Sequence, residues 1–265
     1  LHPLRLGVRK GFFVFSIFGP YEKGQAALDS YYSFEYSEPL SRPPRIEYAH
    51  AWYHVLNRGR RRESIFRGTK DYEIFLQTVQ EACEFWHLRV AAYCLMANHY
   101  HLLVQTPNGN LSRCLRHIDG VYTQRFNRRH GHDGPLFRGR YKALLIEANT
   151  YLLQLVRYIH RNPLEAGLAK TLDDYPWTSH QGYLSRNPGW KWLYKDIVLE
   201  ILAANPPERI EAYRKFVVRE DSKELVNIFP EALACFFGVG EVYRRGKGEI
   251  FLEEGDLFRI DDLVE

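Results

Sequence analysis

The amino-acid sequence predicts an α+β fold in which helices pack on one face of a four-stranded antiparallel sheet. Two features indicate this class. Short segments rich in strand-forming residues occur at four places, and segments with the apolar spacing of amphipathic helices lie between and after them. Their order is βαββαβ with one additional helix at the end, which is the arrangement of ferredoxin-like sheets.

The first strand is predicted over residues 51–57, where the sequence AWYHVLN alternates and is followed by Gly59 and a run of arginines. Thr69 is predicted as the N-cap of a helix that reaches Trp86. The apolar stripe of this helix consists of Tyr72, Phe75, Leu76, Val79 and Cys83.

Two further strands are predicted over residues 88–95 and 99–106, joined by a tight connection, and the second of them is closed by Pro107-Asn108-Gly109. A basic helix follows over 111–129, and the fourth strand is predicted over 141–146. Asn149 or Thr150 then caps the additional helix. This helix is predicted to stop at Asn162-Pro163, because the residue before a proline disfavours helical backbone.

The ends of the chain are predicted to lie outside the working domain. Residues 1–41 are expected to be an N-terminal extension, either disordered or produced by an incorrectly assigned start; their basic residues before a short apolar run imitate a signal peptide without a clear cleavage site. The working domain is predicted over residues 42–186 and a mostly helical C-terminal region over 187–265. Within that region a helix is expected at 207–218. Residues 229–245 suggest a helix-turn-helix, although the acidity of the C-terminal tail favours a packed helical appendage.

Composition excludes several classes of protein. The chain has 265 residues, of which 45% are hydrophobic and 26% charged, enough for a substantial core. Its 18 Tyr, 16 Phe and 5 Trp exclude a disordered chain. No apolar run reaches the roughly 18 residues that a membrane-spanning helix needs. The four cysteines form no CxxC pair, which favours a reducing cytoplasm.

The net charge of +4 hides an asymmetry along the chain. Residues 110–161 contain ten bases and three acids, 10 − 3 = +7, whereas residues 200–265 contain nine bases and fifteen acids, 9 − 15 = −6. A concentrated positive region attracts polyanions whatever the total charge of the protein is.

His99-Tyr100-His101 is the most distinctive short motif. On a strand both imidazoles point to one face and Tyr100 to the other, so the pair could hold a divalent cation if a third ligand is supplied. Two unrelated histidines on a solvated strand are the simpler interpretation, because such a motif alone is weak. Cys94 suggests a zinc site with the two histidines, but a packed strand residue is favoured.

Tyr158 and Asn162 are four residues apart and therefore share one face of the last predicted helix. A tyrosine hydroxyl can attack a phosphodiester, and an amide oxygen can bind a hard cation. A helical tyrosine is more often part of an amphipathic core. Nothing physical singles out Tyr158 among 18 tyrosines without a second motif.

The segments 93–104 (YCLMANHYHLLV) and 158–163 (YIHRNP) together closely resemble the single-tyrosine HUH transposases, and among these IS200-like proteins they are most similar to the REP-associated tyrosine transposases. HUH denotes two histidines around a hydrophobic residue, whose place Tyr100 takes. Further similar segments follow in the same order, at 45–48, 53–55, 57–59, 126–129, 134–141, 175–179 and, more weakly, 212–217. The resemblance covers residues 42–185 well.

This resemblance implies a role for each motif. His99 and His101 would bind Mg²⁺ or Mn²⁺, with Asn162 in the place of a third ligand that is often Gln in the family. Tyr158 would be the nucleophile that breaks one DNA strand, leaving a 5′-phosphotyrosine and a free 3′-OH. Because the covalent bond conserves the phosphodiester energy, rejoining would need no ATP.

Basic residues near both motifs favour structured single-stranded DNA as the partner, and the resemblance suggests a hairpin with its flanking strand. Arginine makes bidentate phosphate contacts, and the interleaved aromatic rings could stack on unpaired bases. A solvated helix face is the alternative for the central helix. The predicted DNA-binding residues are Arg58, Arg60, Arg61, Arg62, Arg113, Arg116, Arg125, Arg128, Arg129, Arg138 and Arg140.

Several alternatives stay open. Tyr151 and then Tyr141 rank behind Tyr158 as nucleophiles. A replication initiator would use the same HUH chemistry, and a non-catalytic nucleic-acid-binding module would need no convergence of His99, His101 and Tyr158. The sequence leaves open a monomer or a homodimer, and predicts a cytoplasmic protein without membrane attachment.

Overall fold

The computed structural model describes residues 8–9, 12–13, 46–146 and 149–219. The chain divides into two compact units, Leu1–Ser41 and Arg42–Glu265. In the first unit, Val8–Arg9 pairs in antiparallel fashion with Phe12–Phe13. The predicted helix-turn-helix at 229–245 lies outside the described residues.

The second unit contains a four-stranded antiparallel sheet with the order β2-β3-β1-β4. Its strands are β1 (Ala51–Arg58), β2 (Arg89–Met96), β3 (His99–Thr106) and β4 (Lys142–Ile146). Helix α1 (Thr69–Trp86) follows β1 and helix α2 (Leu111–His130) follows β3. The element order βαββαβ and the α+β class are therefore as predicted, with strand ends shifted by about one residue.

The two faces of the sheet are covered by different helices. On one face, the ring centroid of Tyr100 lies 4.9 Å from that of Phe75 in α1, and its hydroxyl donates to Asp119 of α2 at 2.7 Å. On the other face, α3 (Asn149–Glu165) places Tyr158 against His101. Helices α1 and α2 thus pack on one face as predicted, and the additional helix α3 covers the other face, where β2 and β3 also carry apolar side chains.

Two predicted helix ends are wrong. Helix α3 continues through Asn162-Pro163 to Glu165, and the backbone then leaves the helix near Gly167, whose φ is 68°. The burial of Ile159 and Pro163 on either side of this point outweighs the local preference of the residue before a proline. At the start of α1 the N-cap is Gly68, not Thr69, and the Asp71 carboxylate accepts hydrogen bonds from the backbone N–H groups of Arg67 and Gly68.

After α3 the chain forms three short helices, α4 (His180–Leu184), α5 (Asp196–Leu202) and α6 (Arg209–Val217). The helix predicted at 207–218 corresponds to α6. Tyr213 of α6 stacks on Tyr183 of α4 at 4.6 Å, and both are buried. This region packs on the same core as the sheet, and the boundary at residue 186 stays a prediction.

Within the described residues, no helix is both long enough and apolar enough to cross a membrane.

Candidate active site

Three histidines form a cluster on the face of the sheet that α3 covers. His99 and His101 are two residues apart on β3, and His54 lies on β1, diagonally across from His101. The Nε2 atom of His54 is 3.0 Å from Nδ1 of His101, and the two rings stack with centroids 5.2 Å apart. The ring of His99 stands edge-on to that of His101 at 5.1 Å. Strand alternation thus gives the predicted shared face, and strand pairing adds His54.

Helix α3 brings Tyr158 and Asn162 to this cluster. The Tyr158 ring is edge-on to His101 at 6.0 Å and to His54 at 6.3 Å between centroids. The Asn162 side chain, one turn later, is within hydrogen-bonding range of the Tyr158 hydroxyl. The structure therefore assembles Tyr158, Asn162 and the histidines of β3 within one chain.

All three imidazoles are electrically neutral near pH 7. Burial lowers the pKa of His54 to about 3. Burial and the positive charge of Arg58 lower the pKa of His99 to about 4, and burial holds the pKa of His101 well below its usual range. A neutral imidazole retains one nitrogen lone pair, which is the form that ligates a metal ion.

The Tyr158 hydroxyl is protonated in the resting protein. Burial, followed by the negative charge of Glu165, raises the pKa of this hydroxyl, whereas the hydrogen bond with Asn162 lowers it. The nucleophile must therefore lose its proton as it attacks.

The donors present at the site fit a divalent cation. Nδ1 of His99 is 2.7 Å from Oδ1 of Asn98, and Nδ1 of His101 is engaged by His54, so both rings have Nδ1 in a hydrogen bond. This pattern is typical of ligating histidines, in which the second nitrogen is oriented by a neighbour and Nε2 carries the lone pair. Asn162 adds an amide oxygen of the kind that hard cations bind. No group of three His, Cys, Asp or Glu side chains that could hold a metal ion by itself occurs in the described part of the chain.

Cys94 lies directly opposite His101 in the pairing of β2 with β3 and is buried. Burial raises the pKa of its thiol, which keeps it protonated rather than in the thiolate form that binds zinc. Its position agrees with the packed strand residue that the sequence favours.

The competing tyrosines are placed differently from Tyr158. Tyr141 is buried, and its hydroxyl is 3.2 Å from Oγ of Ser112 in α2, on the opposite side of the sheet from the histidines. Tyr151 lies in α3, two turns before Tyr158, and its side chain is outside the described residues.

A group of arginines borders His99 at the end of β1. Arg58 is the cross-strand partner of His99, and burial, followed by the positive charges of Arg138 and Arg62, lowers the pKa of Arg58. The backbone N–H of Arg138 donates to the carbonyl of Arg58 at 3.0 Å, which ties the loop before β4 to this point. We call Arg58, Arg62 and Arg138 the site arginines.

The backbone between the site arginines is a constrained turn. A Cβ atom on Gly59 would lie 2.0 Å from the carbonyl oxygen of Glu63, so only glycine fits there. Arg61 and Arg62 have left-handed φ angles of 55° and 63°, which are unfavourable for residues with a side chain. This turn presents the exposed arginines at 60–62 next to the histidine cluster.

The predicted arginines of α2 lie on the helix that packs on the other face, where Asp119 contacts Tyr100. Three of them interact within the protein: Arg113 lies 3.7 Å above the Trp86 ring, Arg125 pairs with Glu81 at 2.8 Å, and Arg129 pairs with Asp71 at 3.3 Å. Arg116 and Arg128 of the same helix are exposed, as is Arg140 beside the site arginines.

Sequence reasoning missed His54. Alternation along β1 puts His54 on the face opposite Tyr53 and Val55, and only the pairing of β1 with β3 places it beside His101.

It also missed a buried polar network behind α3. Oγ of Ser179 accepts from the Tyr93 N–H at 2.9 Å and lies 2.6 Å from Nε2 of His160. Nδ1 of His160 is 2.9 Å from the Tyr213 hydroxyl. Because His160 is two residues after Tyr158, this network fixes the position of α3 against the edge of the sheet.

Comparisons with known proteins bear on the same region. Residues 47–162 match the family described as "Transposase IS200 like", and the match contains the histidine cluster, Tyr158 and Asn162. A REP-associated tyrosine transposase of Haemophilus influenzae is 23% identical over 116 residues, which is 40% of this chain and 66% of that relative. These matches confirm the family resemblance that the sequence predicts.

Among solved structures, a REP-associated tyrosine transposase bound to a REP hairpin is 19% identical with a TM-score of 0.47, covering 56% of this chain and 87% of that one. A crystal structure of a transposase from Deinococcus radiodurans is 16% identical with a TM-score of 0.33, covering 46% of this chain and 97% of that one.

Proposed function

On the premise that residues 47–162 form an IS200-like transposase domain, we propose that this protein is a cytoplasmic DNA transposase that cuts and rejoins single-stranded DNA through Tyr158. The observation that carries the proposal is the placement of Tyr158 edge-on to His101, with Asn162 one turn away, in a single chain. A non-catalytic binding module would not require this convergence.

The reaction is a transesterification. The Tyr158 oxygen attacks a backbone phosphorus and forms a phosphotyrosyl bond, while the bond from phosphorus to the 3′ oxygen breaks. The phenolic proton is lost and the departing 3′ oxygen gains a proton, so no net proton is consumed. The reverse attack by a 3′-OH restores the DNA strand and the free tyrosine.

His99, His101 and Asn162 are the residues that we propose hold Mg²⁺ or Mn²⁺. A divalent cation bound there would polarise the phosphate and stabilise its developing charge. Asn162 also contacts the nucleophile itself, which couples the position of Tyr158 to the ligand set. Burial of the Tyr158 ring against the sheet limits its motion, which would lower the entropic cost of positioning it for attack.

The site arginines support DNA as the substrate. Arg58 lies directly across the strand pair from His99, and the positive charges of Arg138 and Arg62 act on Arg58. Their concentrated positive charge would offset the charge of neighbouring phosphates. One relative in the structural comparison is bound to a REP hairpin, and we propose a hairpin-forming strand as the substrate here also.

The test uses a hairpin DNA with a single-stranded flank, Mg²⁺ and purified protein, followed by a denaturing gel. A 3′-end label should migrate with the protein, because the tyrosine keeps the 5′ phosphate of the downstream fragment. A 5′-end label should appear in a shorter free strand. Tyr158→Phe should abolish the adduct, whereas Tyr141→Phe should retain it. An undiminished adduct with Tyr158→Phe would falsify the assignment.

A further inference from the structure

His54 is buried, with 1% of its surface exposed, and takes no part in the proposed transfer of the phosphate. Its side chain nevertheless points into the site, because it shares the sheet face of His99 and His101. Its Nε2 atom is 3.0 Å from Nδ1 of His101, which is a direct hydrogen bond between two buried rings.

The direction of this hydrogen bond decides what His101 can bind. A neutral imidazole carries its single proton on Nδ1 or on Nε2, and the other nitrogen carries the lone pair. If His101 donates from Nδ1, its lone pair lies on Nε2. If His54 donates instead, the proton of His101 lies on Nε2, and that nitrogen cannot bind a cation.

We propose that His54 is a positioning residue, which accepts a hydrogen bond from Nδ1–H of His101 and so directs the Nε2 lone pair of His101 to a divalent cation. This inference rests on the metal site of the proposed function. A ligating histidine is commonly oriented through its second nitrogen in this way, and loss of the orienting group typically weakens metal affinity by about 10- to 100-fold.

The surroundings of the pair make His54 the orienting group. Both rings are almost completely buried, 1% exposed in each case, so solvent is a poor substitute for the lost acceptor. The rings also stack at 5.2 Å, and His54 contacts the edge of Tyr158 at 6.3 Å, so its removal would disturb the ligand and leave space beside the nucleophile. A substitution must therefore separate loss of the acceptor from loss of volume.

His54→Phe and His54→Gln make this separation. Phenylalanine keeps an aromatic ring of similar size but has no acceptor. Glutamine places an amide oxygen near the position of Nε2 and can accept from His101. His180→Phe is the matched control, because His180 is also a buried histidine with a hydrogen bond, in its case to Tyr213 at 2.6 Å, in the helical region after α3.

The measurement is the affinity of the protein for Mn²⁺ without DNA, obtained by titration with detection of free Mn²⁺ by electron paramagnetic resonance. His54→Phe should weaken binding by about 10- to 100-fold, and His54→Gln should recover most of the loss. His180→Phe should bind within about threefold of the wild type. Thermal unfolding of each variant verifies that it is folded at the temperature of the titration.

The outcomes separate this inference from the proposed function. If the wild type binds Mn²⁺ and His101→Ala abolishes binding, while His54→Phe binds as the wild type does, then the positioning role is wrong and the metal site stands. If His99→Ala and His101→Ala leave Mn²⁺ binding unchanged, the metal site of the proposed function is wrong and the role of His54 falls with it.

A second readout does not depend on metal. Long-range proton–nitrogen NMR spectra distinguish the two neutral tautomers of a histidine, and His101 is assigned by its loss in His101→Ala. The wild type should show His101 protonated on Nδ1, and His54→Phe should shift it toward protonation on Nε2. An Nε2-protonated His101 in the metal-free wild type would overturn the inference.

Discussion

The two faces of the sheet use the same strands for different purposes. On the face toward α1 and α2, the polar groups of Tyr100 and Asn57 both donate to Asp119, at 2.7 and 2.9 Å, inside an aromatic core. On the face toward α3, His99 and His101 lie beside a tyrosine and a group of arginines. The polar side chains of the first face are hydrogen-bonded to α2. The second face carries the side chains of the proposed site.

This difference appears within three consecutive residues of β3. Tyr100, His99 and His101 all lie in the same paired stretch of β3. The side chain of Tyr100 belongs to the folding core, whereas those of His99 and His101 belong to the proposed site. Substitutions on one face should therefore change mainly the stability of the protein, and substitutions on the other face mainly its reaction with DNA.

The largest effect is expected from the histidine face. His99→Ala or His101→Ala should lower metal-dependent cleavage of hairpin DNA by at least roughly 100-fold, because a bound cation supplies several kcal/mol of stabilisation to the transition state. Hairpin binding, measured by fluorescence anisotropy in the absence of metal, should change by less than about threefold, since in the proposed complex the phosphates are bound by the arginines and not by the imidazoles.

The same variants test whether the site is built within one chain. Mixing His101→Ala with Tyr158→Phe should not restore cleavage, because α3 packs on β2 and β3 of its own chain. Substantial recovery in the mixture would mean that the helix acts in a second subunit.

A smaller effect, on binding alone, is expected from the arginine turn beside His99. Combined replacement of Arg60, Arg61 and Arg62 by Ala should weaken hairpin binding and reduce the slope of log affinity against log salt by about 2, since each lost phosphate contact contributes roughly 0.7 to 0.9. The affinity is measured over a series of salt concentrations.

Arg125→Ala is the control for this prediction. Arg125 is on the other face and pairs with Glu81 at 2.8 Å, so its loss should leave the salt slope unchanged. Equal slopes for the wild type and the triple variant would remove the turn from the DNA interface.

The smallest effect is expected from the core face. Tyr100→Phe keeps the ring against Phe75 but removes the hydrogen bond to Asp119, and it should lower the free energy of unfolding by about 1–2 kcal/mol. Urea unfolding measures this loss, and adduct formation below the unfolding transition should be preserved. A loss of adduct as large as that of His101→Ala would contradict the separation of the two faces.

Local patterns in the sequence were sufficient for the sheet and for the shared face of His99 and His101. Strand alternation has a fixed period, so a histidine two residues after another must lie on the same side. The spacing of Tyr158 and Asn162 likewise placed both on one side of α3. The HUH resemblance joined the two motifs, which no spacing within either motif could do.

The remaining features depend on packing between distant segments. The burial of Leu155 and Ile159 determines on which side of the sheet α3 lies. Packing of this helix also extends it beyond Pro163, where the sequence predicts its end, to Glu165. His54 became part of the site through strand pairing across 47 residues of sequence. Similarly, the basic composition of α2 could not reveal that Arg125 and Arg129 are paired with acids of α1.

The central claim is that Tyr158 is the residue that becomes bonded to DNA. After incubation with hairpin DNA and Mg²⁺, nuclease digestion followed by mass spectrometry of the tryptic peptides identifies the modified side chain. We expect a nucleotide phosphate on Tyr158, in the peptide that ends at Arg161. A modification on Tyr151 or Tyr141 instead, or no modification under conditions in which the DNA is cleaved, would contradict the account.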